Sequence, residues 1–276
     1  MDEQHTAQGR LAGMVLIISG AGSRGEGISV GRAAAILANR EGARVALLDV
    51  VPEWAEETRQ QLDRPAEAIV IQTDVTREES CQSAVAAVVA RWGRVDALVN
   101  VVGGPGPAGD AVHVDLDGWD RGLRLNLTSM MLMSRAAIPD MERGGGGSII
   151  HISSVGGLIG GDASLLYPTT KGAIVQMTRT MAGQHARAGI RVNCIAPGVI
   201  YTPFVVEVGG VDEELRAQRA ESTLLGTEGT AWDVAWAIVY LASQESRWVT
   251  GVILPVDGGV TSGRLPSTQL VAKAQN

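Results

Sequence analysis

Seven short, almost uninterrupted apolar runs, spaced by longer segments of three- and four-residue apolar periodicity, constrain this chain more than any other feature. The runs cover residues 14–19, 44–49, 68–73, 95–102, 148–153, 191–196 and 252–256. Strands apolar along their whole length belong to a sheet buried on both faces, and such sheets are parallel. The spacers 30–41, 78–92, 119–141 and 164–188 have the length and periodicity of crossover helices. Gly42, Gly93 and Gly189 follow three of them, where left-handed caps are expected. Right-handed crossovers then predict an α/β fold: a doubly wound, parallel, seven-stranded sheet with helices on both faces and ligands at the carboxyl ends of its strands.

No linker-like stretch divides the 276 residues, so one domain is expected over 1–263, with a substrate loop at about 198–225 and a tail at 264–276. The longest break in regular pattern, 198–211, follows a strand end, where substrate loops belong. A net charge of −7 without any basic run excludes a phosphate-backbone partner. Cys81 and Cys194 read as buried small hydrophobes of a reducing compartment, and no Cys or His pair has metal-ligand spacing, so no metal is expected. The polar start MDEQHTAQGR is not a signal peptide, and the uncharged run 144–161 is too rich in Gly and Ser for a membrane span. These features predict a soluble cytoplasmic protein that acts on a small molecule.

The first strand runs into SGAGSRGEGISVG and then a helix, whose amino terminus offers unpaired N–H groups to a pyrophosphate. Gly20, Ser23, Gly27 and Ile28 are the candidate contacts in that loop. Asp49 ends the second strand, where a carboxylate accepts hydrogen bonds from the adenosine ribose hydroxyls and repels a 2′-phosphate, which points to NAD. Asp74 ends the third strand, near the expected adenine, and Asn100 ends the fourth, beside a Gly-rich turn open to the nicotinamide ribose.

Tyr167 and Lys171 in YPTTK share one helix face. A fixed cation beside a phenol lowers its pKa from about 10 and fits it for general acid–base work. Pro168 fits the first turn of that helix if Ser164 or a neighbour caps it. The chain has 21 arginines but only two lysines, Lys171 and Lys273, and three tyrosines. By chance such a helical pair is expected about 0.02 times, and a lone lysine among arginines marks a place for a compact ammonium. Ser154, thirteen residues before Tyr167, stands at a strand end where its hydroxyl can donate to a substrate oxygen, although two turn hydroxyls capping backbone read equally well. Asn126, a poor helix former inside an apolar helix, marks a kink, a buried water or a site.

Together the Gly loop, Asp49, the DV pair Asp74–Val75, Asn126, Ser154, YPTTK, PGVIYT at 197–202 and VDGG at 256–259 resemble the short-chain dehydrogenase/reductase family, over about residues 9–259. The resemblance implies a Rossmann-like NAD-dependent alcohol dehydrogenase or carbonyl reductase, often a homotetramer. By the same resemblance Tyr167 is the general acid/base and Ser154 orients the substrate oxygen. Lys171 lowers the Tyr167 pKa and binds ribose, Asn126 holds a water of the proton relay, Asp74 and Val75 lie by the adenine, and Ile200 and Thr202 contact the carboxamide end. The glycine loop is expanded relative to the family pattern: Gly20 and Gly27 match its first two glycines, and either Ser29 or Gly31 takes the third place. NVVG replaces NNAG at 100–103, and Arg24 inside the loop is the one residue suited to a 2′-phosphate. Two other readings are an enoyl reductase of the same fold, in which a lysine stands seven residues after the tyrosine (here Ile174), and a non-catalytic dinucleotide-binding protein.

Overall fold

In the computed structural model, which describes residues 9–25, 27–209 and 212–264, the seven expected strands form one sheet. They are β1 (Val15–Ser19), β2 (Arg44–Asp49), β3 (Ala68–Gln72), β4 (Ala97–Asn100), β5 (Gly147–Ile152), β6 (Ile190–Pro197) and β9 (Ile253–Val256). All pair in parallel, in the order β3-β2-β1-β4-β5-β6-β9. Strand order reverses between β1 and β4, and there the carboxyl ends Ser19 and Asn100 lie side by side. That is the crevice in which doubly wound sheets bind ligands. The expected tail lies outside the described residues, apart from Arg264.

Period-two alternation in the strands builds a core on each face. Leu16, Ile18, Val45 and Leu47 pack against α1 (Val30–Arg40) and α9 (Ala231–Ala242). Val15, Ile17, Ala46 and Leu48 pack with residues of α3 (Glu78–Trp92) and α5 (Ser129–Arg143). The alanine run of α1 brings that helix close to the sheet, and one position permits nothing larger than hydrogen. A Cβ on Gly31 would lie 1.8 Å from Gly20 O. Gly31 therefore holds the place of the third loop glycine. Ser29 instead caps α1, accepting the Arg32 N–H at 3.1 Å and donating to Gly22 O at 2.7 Å. Gly42, Gly93 and Gly189 all have positive φ, as their capping positions require.

Two stretches depart from the sequence reading. The helix expected over 119–141 begins at Leu116, where Asp115 caps α4 (Leu116–Leu123), and is broken by π turns at Arg124–Thr128 before α5. Apolar periodicity runs through such a bulge without marking it, so the break is invisible in sequence. The segment read as irregular from residue 198 holds β7 (Ile200–Tyr201), paired with β8 (Gly229–Thr230), and α7 (Pro203–Gly209). Its β-branched sequence PFVVEVG carries no helical stripe. Between α7 and β8 lies α8 (Glu213–Glu221), a charged helix as its composition predicts. The described residues also include α2 (Pro52–Gln60), which periodicity does not single out. No described helix is long and apolar enough to cross a membrane.

Candidate active site

The site assembles at the carboxyl edge from several elements. Ser154 follows β5, and its hydroxyl accepts the Gly156 N–H at 3.1 Å. Tyr167 and Lys171 lie on α6 (Leu166–His185), which starts as expected: Ser164 Oγ accepts the Tyr167 N–H at 3.3 Å, and Pro168 falls in the first turn. The Tyr167 ring is partly buried, and its Cε1 and Ser154 Oγ lie around the same point above Gly156. Lys171 is buried and donates from Nζ to Ile152 O at 3.0 Å, with Nζ 5.5 Å from the Tyr167 ring centroid.

Asn126 sits inside the π turns, fully buried. The bulge turns its amide out of the helix ladder, a device common at functional sites. Asn126 Nδ2 donates to Gly104 O at 2.9 Å and Thr170 Oγ1 at 3.2 Å, while Oδ1 accepts the Gly104 N–H at 2.8 Å. One Oδ1 lone pair is left. A Cβ on Gly103 would fill the space between Lys171 Nζ, 3.3 Å away, and Asn126 Oδ1, 3.4 Å away. Glycine keeps that space open.

The electrostatics correct one expectation. Tyr167 is held above the ordinary phenol value, not below it: burial dominates, the Ser154 hydroxyl works the other way, and Asp162 raises it further. The Lys171 charge is itself disfavoured by burial, which pushes its pKa down to about 8. Sequence spacing puts the two groups on one face; it does not reveal that both leave water.

At the other end of the crevice, Asp49 Oδ2 accepts the Gly22 N–H at 3.0 Å and Oδ1 accepts the Val51 N–H at 3.1 Å. The carboxylate thus closes the first turn of the glycine loop, where a ribose would lie. Arg24 lies over the Trp54 ring, 5.5 Å from its centroid. Ser23 is buried, with Oγ 3.4 Å from Gly27 O. Gly27 and Ile28 line a cavity of about 490 Å³ with Tyr201, Thr202 and Pro203, and Ile200 is buried. Glycines at the close approaches, the amino end of α1 and the Asp49 carboxylate fit a nicotinamide dinucleotide.

Two expected cofactor residues, Val75 and Asn100, do not turn their side chains into the crevice, and a third, Asp74, commits one carboxylate oxygen locally. Val75 packs in the core against α3 and α5. Asp74 spends Oδ1 on the Thr76 N–H and hydroxyl, closing the turn before α3. Asn100 points inward, donating to His151 Nδ1 at 3.2 Å and Ser134 Oγ at 3.4 Å. A strand-end position does not determine which way a side chain leaves the strand.

Asn100 Nδ2 donates to His151 Nδ1, so the imidazole is neutral with its proton on Nε2. Among the described residues neither Nε2 nor Asn100 Oδ1 has a hydrogen-bond partner, and complete burial pushes His151 down to about 4. An unfolded histidine takes its proton near 6.5, so this site contributes fully to stability above about pH 6.5 and loses it as pH falls toward 4. The loss amounts to about 3 kcal/mol. Denaturant midpoints measured at pH 7 and pH 5 should fall further for the wild type than for His151→Asn; equal falls would exclude the effect.

Asp162 was not among the expected site residues. It is nonetheless the only Asp, Glu, Lys or Arg between Arg143 and Lys171, a signal present in the sequence.

Comparison with known proteins agrees with this geometry. The family model described as enoyl-(acyl carrier protein) reductase matches residues 25–261. An L-fucose dehydrogenase of Mus musculus is 36% identical over 257 residues, covering 92% of this chain and 90% of the relative. A short-chain type dehydrogenase/reductase from Mycobacterium ulcerans superposes with a TM-score of 0.85 at 30% identity, covering 95% of each chain. A 7α-hydroxysteroid dehydrogenase complexed with NADH and 7-oxo glycochenodeoxycholic acid gives a TM-score of 0.84 at 30% identity, over 94% of this chain and 98% of that one.

Proposed function

Because the chain belongs to the short-chain dehydrogenase/reductase family of oxidoreductases, we propose that it interconverts a secondary alcohol and its ketone using NAD(H), with Tyr167 as general acid/base. The observation that supports this best is the gathering of Ser154, Tyr167, Lys171 and Asn126 at the carboxyl edge. When bound, the dinucleotide supplies or accepts the hydride. Ser154 holds the substrate oxygen, and Tyr167 gives that oxygen a proton in reduction and removes it in oxidation. Lys171, with two N–H donors left beside Gly103, binds ribose hydroxyls and stabilises the phenolate. Asn126 keeps its remaining lone pair for a water of the proton path. Gly20, Ser23, Gly27 and Ile28 cradle the pyrophosphate, Asp49 takes the adenosine ribose, and Ile200 and Thr202 border the carboxamide. Asp74, Val75 and Asn100 contribute backbone at their strand ends.

NADH oxidation followed across a panel of ketones tests the reading, and a panel with no substrate would leave a dinucleotide-binding protein. The description of the matching family model favours an enoyl reductase as second reading. The four-residue step from Tyr167 to Lys171, with Ile174 at the seventh position, argues against it, and an enoyl thioester included in the panel separates the two.

NADH should be used at least about tenfold more efficiently than NADPH, since two anions a few ångströms apart and partly desolvated repel by about 1–4 kcal/mol. Asp49→Ser should erode that preference chiefly by weakening NADH binding. Equal efficiency with both would transfer the role to Arg24. The reading also takes residues 1–263 as one domain with a substrate loop at 198–225, in a cytoplasmic homotetramer. Exposed Trp236 and Trp248 favour association, and light scattering measures it.

A further inference from the structure

Gly156 marks a point beside the two groups proposed to hold the reacting oxygen. A Cβ built there would lie 3.6 Å from Ser154 Oγ, 3.7 Å from Tyr167 Cε1 and 3.8 Å from Asp162 Oδ2. One carboxylate oxygen thus rings the same point as the two groups that hold the reacting oxygen. Asp162 Oδ1 is engaged, accepting the Ser164 N–H at 2.8 Å, whereas Oδ2 has no hydrogen bond or salt bridge among the described residues. Among the described residues no cation forms a salt bridge with it. Lys171 is turned to Ile152 O, the neighbouring loop brings Asp110 paired with His113, and Arg216 lies over Tyr201 and bonds Glu228. Leu158, Ile159 and Leu165, neighbours of Asp162 in sequence, are exposed apolar side chains.

Turn closure does not account for a charge at this position. Asn, with the same shape, would accept the Ser164 N–H equally well, and the Asp162 charge works against the Tyr167 phenolate. An unpaired carboxylate beside an acid/base phenol is explained by what it meets on the ligand.

We propose that Asp162 is a specificity-determining residue: it selects alcohols and ketones that carry a second hydrogen-bond donor, hydroxyl or ammonium, within a few bonds of the reacting carbon, and it rejects anionic ones. This rests on the oxidoreductase reading above. The exposed leucine and isoleucine side chains accept the apolar body of such a molecule, and Asp162 Oδ2 takes the donor.

A matched series tests it: cyclohexanone and its 4-hydroxy, 4-amino and 4-carboxylate derivatives as ketones, and the corresponding alcohols for binding to the NAD-loaded protein. The hydroxyl and ammonium forms should exceed the carboxylate form by at least about tenfold in kcat/KM and in affinity. Asp162→Asn, which keeps the bond to Ser164, should bring the ammonium and carboxylate forms within about threefold of each other, with an unchanged circular dichroism spectrum. Asp162→Lys should reverse their order. Turnover without that order, an order unaffected by Asp162→Asn, or no measurable binding of the donor-bearing alcohols overturns the proposal. Absence of NADH consumption with every ketone, while the binding order persists, counts instead against the oxidoreductase reading.

Discussion

Tyr167→Phe is expected to lower turnover by about two to four orders of magnitude, the usual scale of general acid–base catalysis, and to leave NADH binding nearly intact. The substitution removes only the hydroxyl. The ring keeps its place on α6 over the first turn capped by Ser164, and Lys171 keeps its bond to Ile152 O. Ser154 still accepts the Gly156 N–H. Stopped-flow NADH oxidation gives the rate, and nucleotide fluorescence gives the binding. Turnover within about tenfold of wild type would rule Tyr167 out as the acid/base, whatever the family. Direction also matters, because burial holds the wild-type phenol above its ordinary pKa. Ketone reduction needs the protonated form and should persist at neutral pH, while alcohol oxidation needs phenolate and should climb as pH rises into the alkaline range.

Lys171 carries the second large effect, and it separates function from stability. In Lys171→Arg the charge remains but spreads over a planar, bulkier group that cannot repeat the bond to Ile152 O and still fit beside Gly103 and Asn126. A displacement of about 1 Å at such a site costs on the order of a hundredfold in rate, so a loss of at least that size is expected, with weaker NAD binding. A variant within about twofold of wild type would make the lone lysine incidental.

Stability should move the other way in Lys171→Met. Burial lowers the Lys171 pKa from 10.5 to about 8, so the folded state bears the cost of a buried ammonium below pH 8. That cost, about 3 kcal/mol at most, is relieved as pH rises from 8 to 10.5. Losing the bond to Ile152 O subtracts about 1 kcal/mol from the gain. Lys171→Met should therefore melt higher than wild type at pH 7 and fall slightly below it near pH 10.5. A lower melting temperature at pH 7 would show that the ammonium stabilises the fold.

The chemistry that was legible in the sequence is carried by short-range spacing. YPTTK puts phenol and ammonium one helical turn apart, and a Gly-rich loop between a strand and a helix puts N–H groups at a helix start. These relations survive any packing, because a helix fixes them. Which third glycine mattered was not fixed this way. Ser29 and Gly31 both suit the loop by spacing, and only the 1.8 Å approach to Gly20 O distinguishes them.

Relations across the fold behaved differently. Asn126 stood out as misplaced in its helix, yet its buried amide is held by Gly104 and Thr170, which are 22 and 44 residues away. The electrostatics also depend on burial, which no local pattern encodes; hence the Tyr167 phenol lies above, not below, its ordinary pKa. Asp162 was visible as an isolated charge in an uncharged stretch, but its meaning depends on the loop that folds it back to Ser154 and Tyr167.

The sequence by itself therefore determined the parallel sheet, the dinucleotide loop and the Tyr167–Lys171 pair, since apolar periodicity and helical pitch act over a few residues. Tertiary structure alone decided that Asn100 and Val75 turn inward, that Lys171 is dehydrated, and that Asp162 comes beside Ser154 and Tyr167. Side-chain direction at a strand end, dielectric environment and the path of a long loop are set by contacts between segments far apart in the chain.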